Sequence, residues 1–178
     1  MTAAPADQTA NLLGALALAV TDRVAEAVTD RSGCSESAAA ALSALDQFLD
    51  RPSVDRLSQV LGLSQSGTVR LVDRLEQDGL VRRGPGVDGG TTAVPLTAAG
   101  RRVARGLEAA RLQVLDSVLG PLTEDERHTL ATLVGRMLVG MMREPGATRW
   151  TCRMCDLAAC GRPAGHCPLE REARARYG

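Results

Sequence analysis

The tripeptide Gly62-Leu63-Ser64, set between two short amphipathic stretches, limits what this chain can fold into more than any other feature. Ser53 suits the cap of a brief helix through Leu57, Val60 and Leu61, because its hydroxyl can accept a bond from an otherwise orphaned first-turn amide. Gly62 suits the left-handed residue that closes such a helix. Ser64 then caps a further helix, whose apolar face is read as Val69, Leu71, Val72 and Leu75 until Asp78-Gly79 stops it. Two helices joined by so tight a turn make a helix-turn-helix. On this reading the second helix exposes Ser64, Gln65, Ser66, Thr68, Arg70, Asp73 and Arg74. Ser and Gln at its start can bond phosphates or adenine edges, and Arg can take guanine or phosphate. Spacing alone fits a structural helical hairpin equally well.

The segment after Gly79 separates the two. Leu80-Val81-Arg82-Arg83 reads as a short strand, Gly84 to Gly90 as a loop rich in turn residues, and Thr91 to Leu96 as a second strand. A helix-turn-helix succeeded at once by a β-hairpin is a DNA-reading unit. On its N-terminal side, Leu12, Leu13, Leu16, Val20, Val24 and Val28 form one stripe of a helix over residues 7–29. Leu42, Leu45, Phe48 and Leu49 repeat the pattern over Ala38–Leu49, until Pro52 ends it. On the C-terminal side, Thr97 caps a long helix through Leu107, Leu112, Leu115 and Leu119, broken by Gly120-Pro121. Thr123 with Glu126 forms a capping box for a last helix through Leu130, Leu133, Val134, Met137, Leu138 and Met141, and Pro145-Gly146 ends the regular pattern. The expected class is mainly α with a small β-wing, without internal repeats. Four parts result: 1–52, an N-terminal dimerisation helix and the first helix of the DNA lobe; 53–97, helix-turn-helix and wing; 98–145, dimerisation helices; and 146–178, a Cys-rich tail.

Composition narrows the function. With 178 residues, 44% hydrophobic and only 2% aromatic, the core must be Leu, Val and Ala. The longest apolar run, Leu12 to Val20, is about half a membrane span, and no basic stretch precedes it, so a cytoplasmic protein without membrane attachment is expected. All 21 basic residues are Arg, which fits both a genome bias and selection for bidentate phosphate binding. The formal net charge is zero, yet residues 53–105 carry 8 Arg against 5 acids while residues 1–52 carry 3 against 7. A basic middle fits nucleic-acid binding through one face, as well as ordinary surface variation. No Ser/His/Asp set, phosphate loop or paired catalytic carboxylates is recognisable, and only two histidines are present, so no enzyme is expected.

The segment Leu61-Gly62-Leu63-Ser64-Gln65-Ser66-Gly67-Thr68-Val69-Arg70-Leu71-Val72-Asp73-Arg74-Leu75-Glu76-Gln77-Asp78-Gly79-Leu80-Val81 resembles the recognition helix and exit of the MarR family of winged-helix transcription regulators. Val94-Pro95-Leu96-Thr97-Ala98-Ala99-Gly100 is similar to that family's strand into the long helix, and the order of elements agrees over residues 7–143. The resemblance implies an intertwined homodimer through the N- and C-terminal helices, set on a palindromic double-stranded DNA operator, with a small-molecule effector in some members. It implies DNA contacts by Ser64, Gln65, Ser66, Thr68, Arg70 and Arg74. One departure concerns the wing, where the family's Asp-x-Arg is here Asp88-Gly89-Gly90. Arg82 and Arg83, at the hairpin base, are the alternative phosphate contacts, or else a solvated pair. Asp88 is read as bonding within the hairpin. The missing Arg also leaves room for a dimerisation adaptor that has lost DNA binding.

The tail is the unusual part. Cys152-x2-Cys155-x4-Cys160-x6-Cys167-Pro168 places four of the five cysteines within sixteen residues. In a cytoplasmic protein such density points to a metal or cluster before disulfides. Zinc sites pair two short Cys knuckles, and here only one is present, although His166 offers a fifth donor. A compact run ending in Cys-Pro is closer to iron–sulfur loops, [2Fe-2S] or [4Fe-4S], and resembles in style the SoxR-type cluster loop, whose spacing differs. The expectation is an iron–sulfur centre on Cys152, Cys155, Cys160 and Cys167, with zinc as the alternative. Trp150 is read either as a cover for that centre or as an anchor on the dimer body; Arg149, Arg153 and Arg162 as counter-charges or solvated side chains; Cys34 and His128 as bystanders. The function expected is a DNA-binding regulator whose affinity follows the state of the Cys centre. The alternative is a small-molecule-responsive repressor with a structural zinc.

Overall fold

The computed structural model describes residues 7–86, 92–143 and 150–177. Small polar residues start its helices. Asp7 caps α1 (Gln8–Ser32) by accepting from the Thr9 amide at 2.9 Å, and Gly33, at φ 65°, ends it. Ser35 caps α2 (Glu36–Gln47), Ser53 caps α3 (Val54–Leu61) and Ser64 caps α4 (Gln65–Gln77), each hydroxyl accepting from an amide three residues on. Strands β1 (Gly84–Pro85) and β2 (Thr92–Ala93) then pair antiparallel. Helix α5 (Ala98–Leu119) starts from its Thr97 cap, and α6 (Glu124–Gly140) opens with the reciprocal Thr123–Glu126 capping box. A run of turns through the cysteines leads to α7 (Pro168–Tyr177).

The main core lies where α2 packs against α1, α3, α4 and α5. Leu42, Leu57, Leu75 and Leu107 are fully buried there, with Val60, Val72, Val81 and Val94. A second, smaller core joins Met142 and Leu138 to Cys152, Cys167 and Leu169. No described helix is long and apolar enough to cross a membrane. The long helices bury little within one chain: Val28 is the buried residue of α1 and Gly135 that of α6. Leu12, Leu13 and Leu16 on α1, and Leu133, Val134, Met137 and Met141 at α6, stay exposed.

The hairpin departs from the sequence expectation. Leu80–Arg83 and Thr91–Leu96 are expected to pair along their length; β2 does lie within the second of these, but β1 falls beyond Arg83 in the expected loop, and between the expected strands only Val81 bridges Leu96. Pro95 has no amide to give a ladder, and the Arg83 amide donates to Glu76 Oε1 on α4 at 2.8 Å. The sheet is extended on its other side by Ser53, which bridges Ala93, and by the Val94 amide donating to Pro52 O at 2.9 Å. The expected end of the last helix at Pro145-Gly146 falls outside the described residues, and α6 already ends at Gly140.

Where the hairpin returns to α5, Thr97 donates to Leu80 O through its amide at 3.0 Å and its hydroxyl at 3.2 Å. Gly100 lies directly beneath that carbonyl, and a Cβ there would sit 1.9 Å from Leu80 O. Gly100→Ala must therefore push the hairpin off α5. It should lower stability by about 3 kcal/mol, the cost of overpacking against rigid backbone. Urea denaturation at matched protein concentration measures this, and a loss below about 1 kcal/mol would contradict the packing described.

Candidate nucleic-acid interface and cysteine centre

The turn between α3 and α4 is built as its residues dictate. Gly62 takes φ 62°, a left-handed conformation that a side chain would strain, and its amide donates back to Ser58 O. Ser64 Oγ accepts from the Gly67 amide at 3.1 Å. Helix α4 buries Thr68, Leu71, Val72 and Leu75 and turns Ser64, Gln65, Ser66, Arg70 and Arg74 to solvent.

One expected contact residue is corrected. Thr68 is fully buried, and its hydroxyl donates to Ser64 O at 3.0 Å, so it packs the helix onto the lobe and is not exposed. Val69 takes the opposite place: expected in the core, it is 38% exposed beside Gln65, Ser66 and Arg70. A 3.6-residue period starting at Thr68 puts positions 68, 71, 72 and 75 on one side, a pattern that the polar hydroxyl of threonine hides. On the exposed side Val69 puts one apolar side chain among the polar ones.

The two arginines at the hairpin base differ. Arg82 is exposed. Arg83 is held by Asp73 at 2.5 Å and by Glu76, both on α4, so it clamps the hairpin to that helix. Bonds from the Arg83 amide and guanidinium hold the Glu76 carboxyl below the ordinary carboxylate range. Arg51, which no sequence pattern singles out, sits at φ 45° and donates from Nη2 to Pro85 O at 2.5 Å. Asp88, Gly89 and Gly90 at the wing tip lie outside the described residues.

The tail brings its thiols together in pairs. Cys152 hydrogen-bonds Cys155, which raises the Cys152 thiol and lowers Cys155 to about 6. Burial, with a bond to Cys167, pushes Cys160 up to about 12. The pairs also feel one another, Cys152 through the charge of Cys167 and Cys160 through that of Cys155. Arg162 opposes the upward shifts, and Arg111 with Arg162 favours the Cys155 thiolate. Cys152 and Cys167 are buried, whereas His166 is exposed just after a turn. Among the described residues no three His, Cys, Asp or Glu side chains stand as a preformed metal cage. The donor chemistry nonetheless suits a thiophilic group: two pairs of thiols, Cys152 with Cys155 and Cys160 with Cys167, close enough to feel each other's charge and that of Arg162.

The tail also touches the rest of the fold. The Trp150 ring lies against Gly62, so it anchors the tail on the turn between α3 and α4. Arg153 sits over that ring, 3.6 Å from its centroid, and 3.8 Å from Glu36 Oε1 on α2. Arg162 pairs with Glu170 of α7 at 2.5 Å. Gln47 at the end of α2 donates to Glu108 Oε1 on α5 at 2.8 Å and accepts from the Leu157 amide at 3.2 Å. Arg149 lies outside the described residues; Cys34 packs at the edge of the main core, and His128 is exposed.

Residues 32–90 match the MarR family profile. A MarR family protein from Bacillus stearothermophilus aligns at 24% identity and TM-score 0.68, over 76% of this chain and 94% of its own. The fold is the MarR winged helix. MepR of Staphylococcus aureus, a transcription regulator of the multidrug efflux pump MepA, aligns at 12% identity and TM-score 0.65, over 76% of this chain and 100% of its own. MarR from E. coli aligns at 22% and 0.57, over 71% and 96%. No curated protein matches. The cysteine tail lies beyond the residues matched to the MarR profile.

The clamp at the hairpin base gives a pH expectation. A carboxyl whose folded value is depressed stabilises the fold above its unfolded pKa, and that contribution is lost as pH falls through the folded value. Glu76 should therefore titrate below 4.5 by carboxyl-carbon NMR and keep Arg83 engaged throughout the neutral range. In Arg83→Ala it should return to the ordinary value; an unmoved titration would show that the Arg83 bonds are not the cause.

Proposed function

We propose that the protein is a sequence-specific, DNA-binding transcription regulator that acts as a homodimer, and that its DNA affinity follows the state of the four-Cys centre. The observation that carries the first part is the exposed face of α4, where Gln65, Ser66, Val69, Arg70 and Arg74 stand together behind the Ser64 cap. Gln65 and Ser66 suit base edges or phosphates, the two arginines guanine or phosphate, and Arg82 a flanking phosphate. The exposed apolar faces of α1 and α6 suit a second copy, which would set two such helices on a palindrome. Absence of a membrane-crossing helix among the described residues fits a regulator working on DNA in the cytoplasm.

The second part rests on the paired thiols and on the tail's contacts with the DNA lobe. Cys152, Cys155, Cys160 and Cys167 would hold the group as thiolates, with Arg162 and Arg111 offsetting their charge. When bound, an iron–sulfur cluster supplies electron transfer and sensitivity to oxidants or iron supply; zinc would supply a fixed link only. The exposed His166 favours an all-sulfur donor set. The tail residues then act by position: Leu157 through Gln47, and Met154 through its packing on the main core.

A second reading, small-molecule response with a structural zinc, is favoured by a cavity of about 220 Å³ between α1, α2, α5 and the tail. Val20, Val24, Leu115 and Met154 make it apolar, and Arg111 and Arg153 suit an anionic aromatic ligand.

DNA binding is tested with a labelled duplex selected by the wild-type protein from a random pool. Arg70→Ala and Arg74→Ala should each weaken binding about tenfold, and affinity should fall steeply with salt as condensed counterions cease to drive association. Unchanged affinity in both variants would overturn the recognition-helix assignment. For the centre, anaerobic purification with a visible spectrum and metal analysis should give sulfur-to-iron bands and about two to four irons per chain, lost in Cys152→Ser and Cys167→Ser. One zinc in a colourless protein would move the search for an effector to the cavity.

A further inference from the structure

We propose that Trp150 is a positioning residue, through which the cysteine tail sets the geometry of the helix-turn-helix. This rests on the reading of the tail as the sensing element. Gly62 is the residue where the chain turns from α3 to α4, and the angle between those helices decides how α4 meets a groove. A Cβ placed on Gly62 would lie 3.2 Å from both Cε3 and Cζ3 of Trp150, so the indole rests directly on the Gly62 Cα. Glycine is thus needed there twice over, for its φ of 62° and for the ring above it.

The ring is held in that place from two directions. Arg153 stacks over it at 3.6 Å, donates from Nη1 to Trp150 O at 3.0 Å, and reaches Glu36 in the first turn of α2. Met154 packs against the main core of the lobe. Interleaved with these anchors are the two thiols of the knuckle: Cys152, buried with Met142 and Leu169, and Cys155, whose amide donates to Cys152 O at 3.0 Å. Residues 150–155 therefore alternate between lobe contacts and cysteines along one short turn. A change that draws Cys152 and Cys155 into a new arrangement displaces Trp150 and Arg153 with them, because the backbone between them spans one or two residues. The ring is 47% exposed, so its leaving opens no core and the step costs little enough to be reversible. Tail docked and tail lifted then make the two states, and any group that favours one of them biases DNA binding by that preference alone.

Trp150 is the sole tryptophan of the chain, which makes it its own reporter. The test is amide hydrogen exchange over residues 61–68 together with Trp emission, in full-length wild type, Trp150→Ala and Trp150→Phe, each as purified and after metal removal by a chelator. In wild type, metal removal should speed exchange across the turn about fivefold or more and shift the emission to the red. Trp150→Ala should exchange fast in both forms, changing less than about twofold on metal removal while its metal content matches wild type. Trp150→Phe should regain most of the metal dependence, a rescue that a merely structural side chain would not give. Wild-type exchange and wild-type metal response in Trp150→Ala would overturn the proposal, as would an unmoved Trp emission in metal-free wild type. If wild type carries no metal, the four-Cys reading falls, and Trp150 is judged on the purified proteins: faster exchange at 61–68 in Trp150→Ala supports it, and equal exchange overturns it.

Discussion

Everything in this molecule hangs on the close packing of α2. Of its twelve residues, Ala38, Ala39, Ala40, Ala41, Leu42, Ala44 and Leu45 are buried. Alanine at successive turns lets neighbouring backbones approach closely, and four helices, α1, α3, α4 and α5, use that approach. The long helices and the helix-turn-helix meet chiefly through this one element. Interiors so packed do not deform smoothly, so α4 is either in its place or shifted with α2 as a unit. Gln47 at the end of α2 links it to α5 and to the tail in one hydrogen-bonded chain, which ties the tail to the same hub.

Charge is divided by task around that core. Arg83 serves the fold, bridging the hairpin to Asp73 and Glu76, and Arg51 secures the wing by bonding Pro85 O. Arg70, Arg74 and Arg82 remain exposed, and these are the arginines proposed for DNA. Arg153 and Arg162 serve the tail, one stacked on Trp150 and the other paired with Glu170 near the thiols. A chain without lysine uses the guanidinium both to stack and to bridge two carboxylates, and the same planar fork suits a phosphate.

Much of this is legible in the residues. Helix starts come from Ser35, Ser53, Ser64, Thr97 and Thr123, because a hydroxyl cap needs only local geometry. The Gly62 turn and the capping box are equally local. Strand limits are not, since the Arg83 amide turns to Glu76 on α4 and the Val94 amide opposite it to Pro52 O, choices made by tertiary contact. Thr68 and Val69 exchange roles because position on the helix outweighs side-chain polarity: a buried hydroxyl that bonds a carbonyl one turn back is satisfied. Spacing leads to the expectation that the thiols lie near one another, and the structure pairs them two by two; the resting place of Trp150 on Gly62 is not legible, since residues far apart in sequence leave no periodic trace of their contact.

The most direct measurement is the affinity of one protein preparation for one DNA duplex, taken anaerobically before and after the metal is removed. With the tail governing the recognition helix, the two dissociation constants should differ by about tenfold or more, and that difference should vanish in Cys152→Ser. Equal affinities in a wild-type protein shown to have held and lost its metal would contradict the central claim and leave the cysteine centre as a structural staple.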